Sequence, residues 1–157
     1  MAPMSDPVFS HDDAIEIAAS PAAVYGLVSD MARYGEWSVQ NVGGAWLDGG
    51  TGKVGDWFEG QNKAGKMEWT AKVEITEATP GAEFGFWTMG QEANIVHWRY
   101  SLEPSGSGTR LSEHYRLYNP PAQIAKGGEE ALKGWCEGVK TGVSAMLASI
   151  KASAEQA

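Results

Sequence analysis

The sequence predicts an α+β fold in which a curved antiparallel β-sheet packs around one long C-terminal α-helix. Between about Gly128 and Glu155, large apolar residues recur every three or four positions, which is the spacing of one stripe along a helix. Such a helix of roughly 28 residues spans roughly 40 Å, enough to lie across a small domain. Most of the chain before it divides into short segments of alternating apolar and polar residues, which is typical of strands.

Composition limits the class of protein. The chain has 157 residues, of which 43% are hydrophobic and 20% are charged, so we expect one globular domain over 1–157 with a loose start over 1–10. The net charge of −8 argues against nucleic acid or an anionic membrane surface as a partner.

Location is predicted from what the sequence lacks. The single cysteine cannot form an internal disulfide, which fits a reducing compartment. No apolar run approaches the ~20 residues of a membrane span. The first ten residues do not show a basic segment followed by an apolar run, so no signal peptide is predicted. We therefore expect a cytoplasmic protein without a membrane span.

The N-terminal third predicts one strand and two short helices. Residues 14–18 alternate like a strand. Ser20 and Pro21 then form a helix start, with serine as the N-cap and proline at the first helical position. Apolar residues at helical spacing carry this helix to about Asp30. A second short helix or turn is predicted over 31–37.

The middle of the chain predicts a run of antiparallel strands separated by glycine-rich turns. Asn119 and the two prolines after it end the last strand, because proline cannot donate a hydrogen bond to a neighbouring strand. The predicted strands cover about 40–48, 54–63, 66–78, 82–89, 93–103 and 109–118.

The last two strands predict a hairpin with a defined register. A loop over 105–108 places Tyr100 opposite Glu113 and Trp98 opposite Tyr115, all four on the face toward the long helix. The same register places Arg99 opposite His114 and Glu103 opposite Arg110 on the outer face. Agreement on both faces supports this register.

The predicted inner face is aromatic, with two polar exceptions, Asn62 and Glu113. A carboxylate on an apolar face costs free energy unless it is paired or neutralised. Glu113 is therefore either an end-of-sheet residue that meets water or Tyr100, or a polar anchor or proton-handling group in a pocket. Asn62 is either a rim residue or a second anchor.

Neither a nucleotide site nor a metal site is predicted. Residues 50–55 fit the pattern G-x-G-x-x-G, but a strand rather than a helix follows, so we expect a hairpin loop. His97 and His114 fall on the outer face beside Arg99 and Arg116, whose positive charge disfavours a bound cation. No cofactor is predicted.

Three glycines at four-residue spacing interrupt the long helix, at Gly134, Gly138 and Gly142. Each costs roughly 1 kcal/mol of helix stability relative to alanine. They either allow close packing against a strand or a partner subunit, as in a homodimer, or leave room for ligand entry. Trp37 is likewise either a core residue or a wall of the cavity mouth.

Several stretches, taken in order, resemble the START-like (SRPBCC) superfamily, and in particular its bacterial polyketide cyclase/dehydrase-type branch. The resemblance covers roughly 14–118 and, more loosely, the last helix. It implies a helix-grip fold with a cavity under that helix, in which members bind lipids, sterols, hormones or polyketides and some act as cyclases or aromatases. No catalytic set matches residue by residue. The stretches that carry it include Ile17–Pro21, Leu27–Asp30, Gly35–Ser38, Gly55–Phe58, Pro80-Gly81, Trp98–Tyr100, Leu102–Pro104 and Gly108–Arg110.

The leading hypothesis is that the chain binds a small hydrophobic molecule, aromatic, polyketide or lipid-like, between the sheet and the last helix. The first alternative is a cyclase, aromatase or dehydratase in which Glu113 moves a proton with Tyr100 or Tyr115. The second is a protein-interaction or co-chaperone module. The predicted ligand-binding residues are Trp37, Phe58, Asn62, Trp69, Phe86, Trp98, Tyr100, Glu113, Tyr115, Trp135 and Val139.

Overall fold

The computed structural model describes residues 6–156 and contains one seven-stranded antiparallel sheet with a long C-terminal helix, as predicted. The strand order is β1-β7-β6-β5-β4-β3-β2. The strands are β1 (Phe9–Ile17), β2 (Asn41–Trp46), β3 (Trp57–Ala64), β4 (Met67–Thr79), β5 (Glu83–Thr88), β6 (Val96–Ser105) and β7 (Gly108–Leu117). The α-helices are α1 (Pro21–Val28), α2 (Ala122–Lys126) and α3 (Gly128–Gln156), and 3-10 helices cover Met31–Glu36 and Gln91–Ala93.

The predicted start of the chain needs correction. Strand β1 begins at Phe9 rather than at residue 14, so the loose start predicted over 1–10 is too long. Residues 1–5 of that prediction lie outside the described residues. The strand is longer because it pairs with β7 along its whole length, from Phe9 opposite Leu117 to Ile17 opposite Thr109.

The predicted start of α1 is confirmed. The Ser20 hydroxyl accepts a hydrogen bond from the Ala23 backbone N–H at 3.2 Å, and Pro21 occupies the first helical position. Val24 and Val28 lie one turn apart and are fully buried, so this helix packs its apolar side against the core. The 3-10 helix that follows buries Met31 and Tyr34.

The hairpin of β6 and β7 has the predicted register. Tyr100 pairs with Glu113, and Trp98 pairs with Tyr115. Strand β6 begins at Val96 rather than at residue 93, because a short 3-10 helix precedes it and Asn94 adopts a left-handed backbone conformation (φ 52°). The pairing is irregular in β2 near Gly43 and in β4 near Glu77, and such irregularities bend a strand locally.

The core lies between the inner face of the sheet and the helices. Helix α3 contributes Val143, Met146, Leu147 and Ile150, all at most 5% exposed, as its predicted stripe requires. No helix of the described residues is long and apolar enough to cross a membrane.

Candidate functional site

Glu113 is the polar centre of the inner face. Its side chain is 2% exposed, so it does not meet water, and it faces Tyr100, the other neighbour that the sequence offered for it. Within residues 6–156, its Oε1 atom has no hydrogen-bond partner. On the flanking strands, Asp13 of β1 and Tyr100 of β6 stand directly opposite it.

The surroundings of Glu113 favour its neutral form. Burial raises the pKa of its carboxyl from 4.5 to about 8; hydrogen bonding with Tyr100 lowers it, and the charge of Asp13 raises it further. At neutral pH the carboxyl therefore carries a proton and is able to donate a hydrogen bond as well as to accept one.

Two buried tyrosines extend this polar centre. Burial and the Glu113 charge raise the pKa of Tyr100 and of Tyr34 well above the ordinary value, so both hydroxyls stay protonated. The Tyr34 hydroxyl donates to the Val28 backbone carbonyl at 2.5 Å. Glu113, Tyr100 and Tyr34 are thus a buried set of neutral hydrogen-bonding groups.

An aromatic cluster runs from this centre to α3. The ring centroids of Trp98 and Tyr115 are 4.6 Å apart with the rings nearly perpendicular, and Phe86 stacks on Trp98 at 6.4 Å. Trp135 of α3 donates its Nε1–H to the Tyr115 hydroxyl at 2.9 Å. Burial raises the pKa of Tyr115 to about 12, although the Trp135 hydrogen bond lowers it. We call Phe86, Trp98, Tyr115 and Trp135 the aromatic cluster.

Solvent reaches parts of this cluster. Phe86 and Tyr115 are buried, whereas Trp98 and Trp135 are only half-buried. Trp98 lies on a central strand and faces inward, so a fully packed interior would cover it completely. Part of its indole surface is therefore open to solvent.

Two surface depressions among the described residues lie away from the predicted cavity. One of about 260 Å³ lies between α1 and the loop 51–54 and includes Tyr25 and Ala78. The other, of about 370 Å³, lies beside the 105–108 turn and includes Lys151 and Glu155. None of the residues predicted to bind ligand lines either depression.

The predicted binding residues divide into two groups. Most are buried against the core, namely Trp37, Phe58, Phe86, Tyr100, Glu113, Tyr115 and Val139. The half-buried ones are Asn62, Trp69, Trp98 and Trp135. Asn62 and Trp69 pair with each other near the end of the β3–β4 hairpin, so they form a rim pair apart from the aromatic cluster.

Trp37 has the environment of a core residue. Its side chain is 4% exposed, and its Nε1–H donates to Ser153 of α3 at 2.8 Å.

The glycines of α3 do not pack closely. A Cβ atom added at Gly134 or Gly138 would meet no atom within 4 Å. Neither glycine therefore packs against a strand. At Gly142 the added atom would lie 3.8 Å from Val39, an ordinary contact.

The sequence interpretation missed three inner-face residues. Phe9 lies 5.9 Å from the Tyr115 ring, and Asp13 stands beside Glu113. Both lie on β1, where only Phe9 gave an apolar signal, since residues 10–13 are all polar. Tyr34 carried no such signal, because an irregular 3-10 helix brings it to the core.

The outer-face histidines and the loop at 50–55 lie where the sequence predicts. His97 pairs with Glu77 at 2.6 Å, and His114 pairs with Asp12 at 2.6 Å, both on the outer face. Among residues 6–156 there is no group of three His, Cys, Asp or Glu side chains suited to a metal ion. The loop at 50–55 leads into a strand, and its backbone N–H groups bond to Asp56 instead of forming a phosphate site.

Solved structures of other proteins share this fold. The Polyketide_cyc-like protein Cgl2372 of Corynebacterium glutamicum is 30% identical, with a TM-score of 0.67 over 90% of this chain and 88% of that one. The di-domain ARO/CYC StfQ of the steffimycin biosynthetic pathway is 14% identical, with a TM-score of 0.76 over 96% of this chain and 52% of that one. Ara h 8.0201 is 11% identical, with a TM-score of 0.64 over 95% and 99%.

The two more distant structures support the fold alone, which is the predicted helix-grip fold. No curated protein is similar enough in sequence to be matched. The family model described as polyketide cyclase / dehydrase and lipid transport matches residues 9–155, nearly the whole chain. The predicted resemblance is thereby confirmed: the chain belongs to the polyketide cyclase / dehydrase and lipid transport family.

Proposed function

We propose that this protein binds a small hydrophobic molecule, aromatic or lipid-like, between the inner face of the sheet and α3. The family description, which combines polyketide cyclases with lipid transport, supports a ligand of this chemical class. The aromatic cluster supplies flat apolar surface on both the sheet and the helix.

The observation that carries the proposal is the unpartnered Oε1 atom of Glu113 on an aromatic face. Leaving a buried polar atom without a hydrogen bond costs about 1–3 kcal/mol. A ligand with a polar end would recover that free energy by bonding to Glu113. Because the carboxyl is protonated at neutral pH, a carbonyl or hydroxyl oxygen is the complementary ligand group.

A second candidate function is catalysis at the same place. A pKa of about 8 lies close to neutral pH, where a general acid or base works most efficiently. The nearby Tyr100 hydroxyl interacts with the same carboxyl. StfQ, which has the same fold, is described as an ARO/CYC of a biosynthetic pathway. Glu113 is then the group that gives a proton to, or takes one from, the bound molecule.

The test is a titration with flat aromatic and fatty-acyl compounds, followed by tryptophan fluorescence and thermal unfolding. We expect at least one compound to change the fluorescence and raise the melting temperature, because a ligand that binds only the folded state stabilises it. The fluorescence of Trp98 and Trp135 should respond, since both are half-buried in the aromatic cluster. A broad set of compounds that gives neither signal would contradict the proposal.

Glu113→Gln separates the two functions, with Glu103→Gln on the outer face of β6 as the matched control. If Glu113 anchors the ligand, the variant should weaken binding by about 1–3 kcal/mol. If Glu113 moves the proton, binding should persist while turnover falls by roughly 10²-fold or more. The control should leave binding and turnover unchanged. If Glu113→Gln also changes neither, Glu113 is neither the anchor nor the proton carrier.

A further inference from the structure

Three polar side chains on the outer face of the sheet are aligned as a serine, a histidine and an aspartate. They lie on three adjacent strands: Ser101 on β6, His114 on β7 and Asp12 on β1. The Ser101 hydroxyl oxygen is 2.9 Å from His114 Nε2, and His114 Nδ1 is 2.6 Å from Asp12 Oδ1. These are the contacts that let a histidine remove a proton from a serine hydroxyl.

The negative charge on Asp12 determines which ring nitrogen of His114 carries a proton. Partial burial raises its pKa, but the hydrogen bonds from His114 and Arg116 outweigh that effect and hold it below the ordinary value. Arg116 Nη2 lies 2.9 Å from the same Oδ1 atom that faces His114. An ionised carboxylate only accepts hydrogen bonds, so Nδ1 of a neutral His114 carries the proton. Its Nε2 lone pair is then free to accept the Ser101 proton.

Arg99 is the candidate to stabilise negative charge that develops on a substrate at Ser101. It lies two residues before Ser101, hence on the same face of β6, and directly opposite His114. Its Nη1 atom is 3.7 Å from Glu83, too far for a hydrogen bond, which leaves guanidinium donors available. Backbone N–H groups in the middle of a sheet are used in strand pairing, so a side-chain donor has to take this role.

We propose that Ser101, His114 and Asp12 form a second reactive site, on the opposite side of the sheet from Glu113, that takes the acyl group of small activated esters. Ser101 Oγ forms a bond to the ester carbonyl carbon while its proton moves to His114 Nε2. The bond from the carbonyl carbon to the leaving-group oxygen then breaks, and the leaving alkoxide or phenoxide takes that proton. Water next attacks the acyl carbon while one of its protons moves to His114 Nε2. The bond from that carbon to Ser101 Oγ breaks, Oγ takes the proton back, and the carboxylic acid is released, so no other reactant is needed.

The surroundings of the site define the substrate class. Ser112 stands directly opposite Ser101 on β7, and Glu83 stands opposite it on β5. These neighbours are polar, and neither surface depression includes Ser101. These polar neighbours suit short, polar acyl esters rather than long-chain ones.

The test uses p-nitrophenyl acetate and the full-length protein. We expect release of p-nitrophenolate together with a mass gain of one acetyl group, located on Ser101 by peptide mass spectrometry. Ser101→Ala and His114→Asn should lower the rate of p-nitrophenolate release above background by about 10²-fold or more, the usual contribution of a positioned general base. Ser101→Ala removes a single oxygen atom, so its fold should be kept.

Ser112→Ala is the matched control, because Ser112 lies on the same face but is not the serine hydrogen-bonded to His114. It should release p-nitrophenolate at the wild-type rate. Acetylation located on a lysine or on Ser112, or a Ser101→Ala rate equal to wild type, would overturn the proposal.

Discussion

The two halves of α3 meet the rest of the protein in different ways. In the C-terminal half, Leu147, Ile150 and Ala154 are at most 6% exposed. Polar contacts add to this packing: Lys151 donates to the Glu16 backbone carbonyl at 2.8 Å, and Glu155 accepts the backbone N–H of Ala18 at 2.8 Å. This half is fixed to the sheet.

The N-terminal half is held by fewer contacts. Leu132 and Trp135 are half-buried, and open space surrounds the Cβ positions of Gly134 and Gly138. Among the described residues, the side-chain hydrogen bond that joins this half to the sheet runs from Trp135 to Tyr115. The aromatic cluster lies below this half. One helix therefore anchors the fold at one end and covers the proposed ligand site at the other.

Among the truncation variants, the largest expected effect is a contrast in stability between the two halves. Ile150→Ala should lower the free energy of unfolding by about 2–5 kcal/mol, because Ile150 is fully buried and the change leaves a cavity. Leu132→Ala should cost about 1 kcal/mol, since its side chain is already partly hydrated. Urea denaturation measures both. Equal losses would mean that the two halves are packed equally well.

A second prediction concerns Glu113, which lies between fully buried Tyr100 and the partly exposed aromatic cluster. The native carboxyl keeps its proton up to about pH 8, whereas an ordinary glutamate releases it near 4.5. Stability should therefore fall as pH rises from 4.5 to 8, by up to about 1.4 kcal/mol per pH unit. Glu113→Gln cannot ionise and should lose this slope. The comparison is urea denaturation of both proteins across that pH range.

Identical slopes in the two proteins would mean that Glu113 is ionised or hydrated in the folded state. Glu103→Gln, on the exposed outer face, serves as the control and should keep the wild-type slope.

The smallest expected effect is a gain in the free energy of unfolding. Gly138→Ala should stabilise the protein by about 0.5–1 kcal/mol, because alanine favours the helix and its Cβ meets no neighbouring atom. Thermal unfolding measures the gain. A loss of stability would show that the surface at Gly138 is covered in solution, as a homodimer would cover it. Sedimentation analysis of the wild type distinguishes that case.

The elements of the fold could be predicted because local signals agree with the tertiary structure. The three- and four-residue spacing of α3 and the serine–proline start of α1 each specify a helix and its buried side. Alternation in β6 and β7 specifies which face each residue occupies, since a shift of one residue would expose the whole apolar set. The start of β1 was predicted at residue 14 instead of Phe9, because pairing with β7 extends the strand beyond the residues that alternate.

The sequence by itself determined the fold, the inward direction of Glu113 and the aromatic character of its surroundings. Tertiary structure alone decided that Asp13 stands beside Glu113, that Tyr34 joins the buried polar set, and that Ser101 reaches His114. The physical reason is that alternation along a strand specifies a face but not its neighbours. The neighbours depend on how β1 pairs with β7. The paired residues are about a hundred positions apart in the sequence, so no local pattern encodes the pairing.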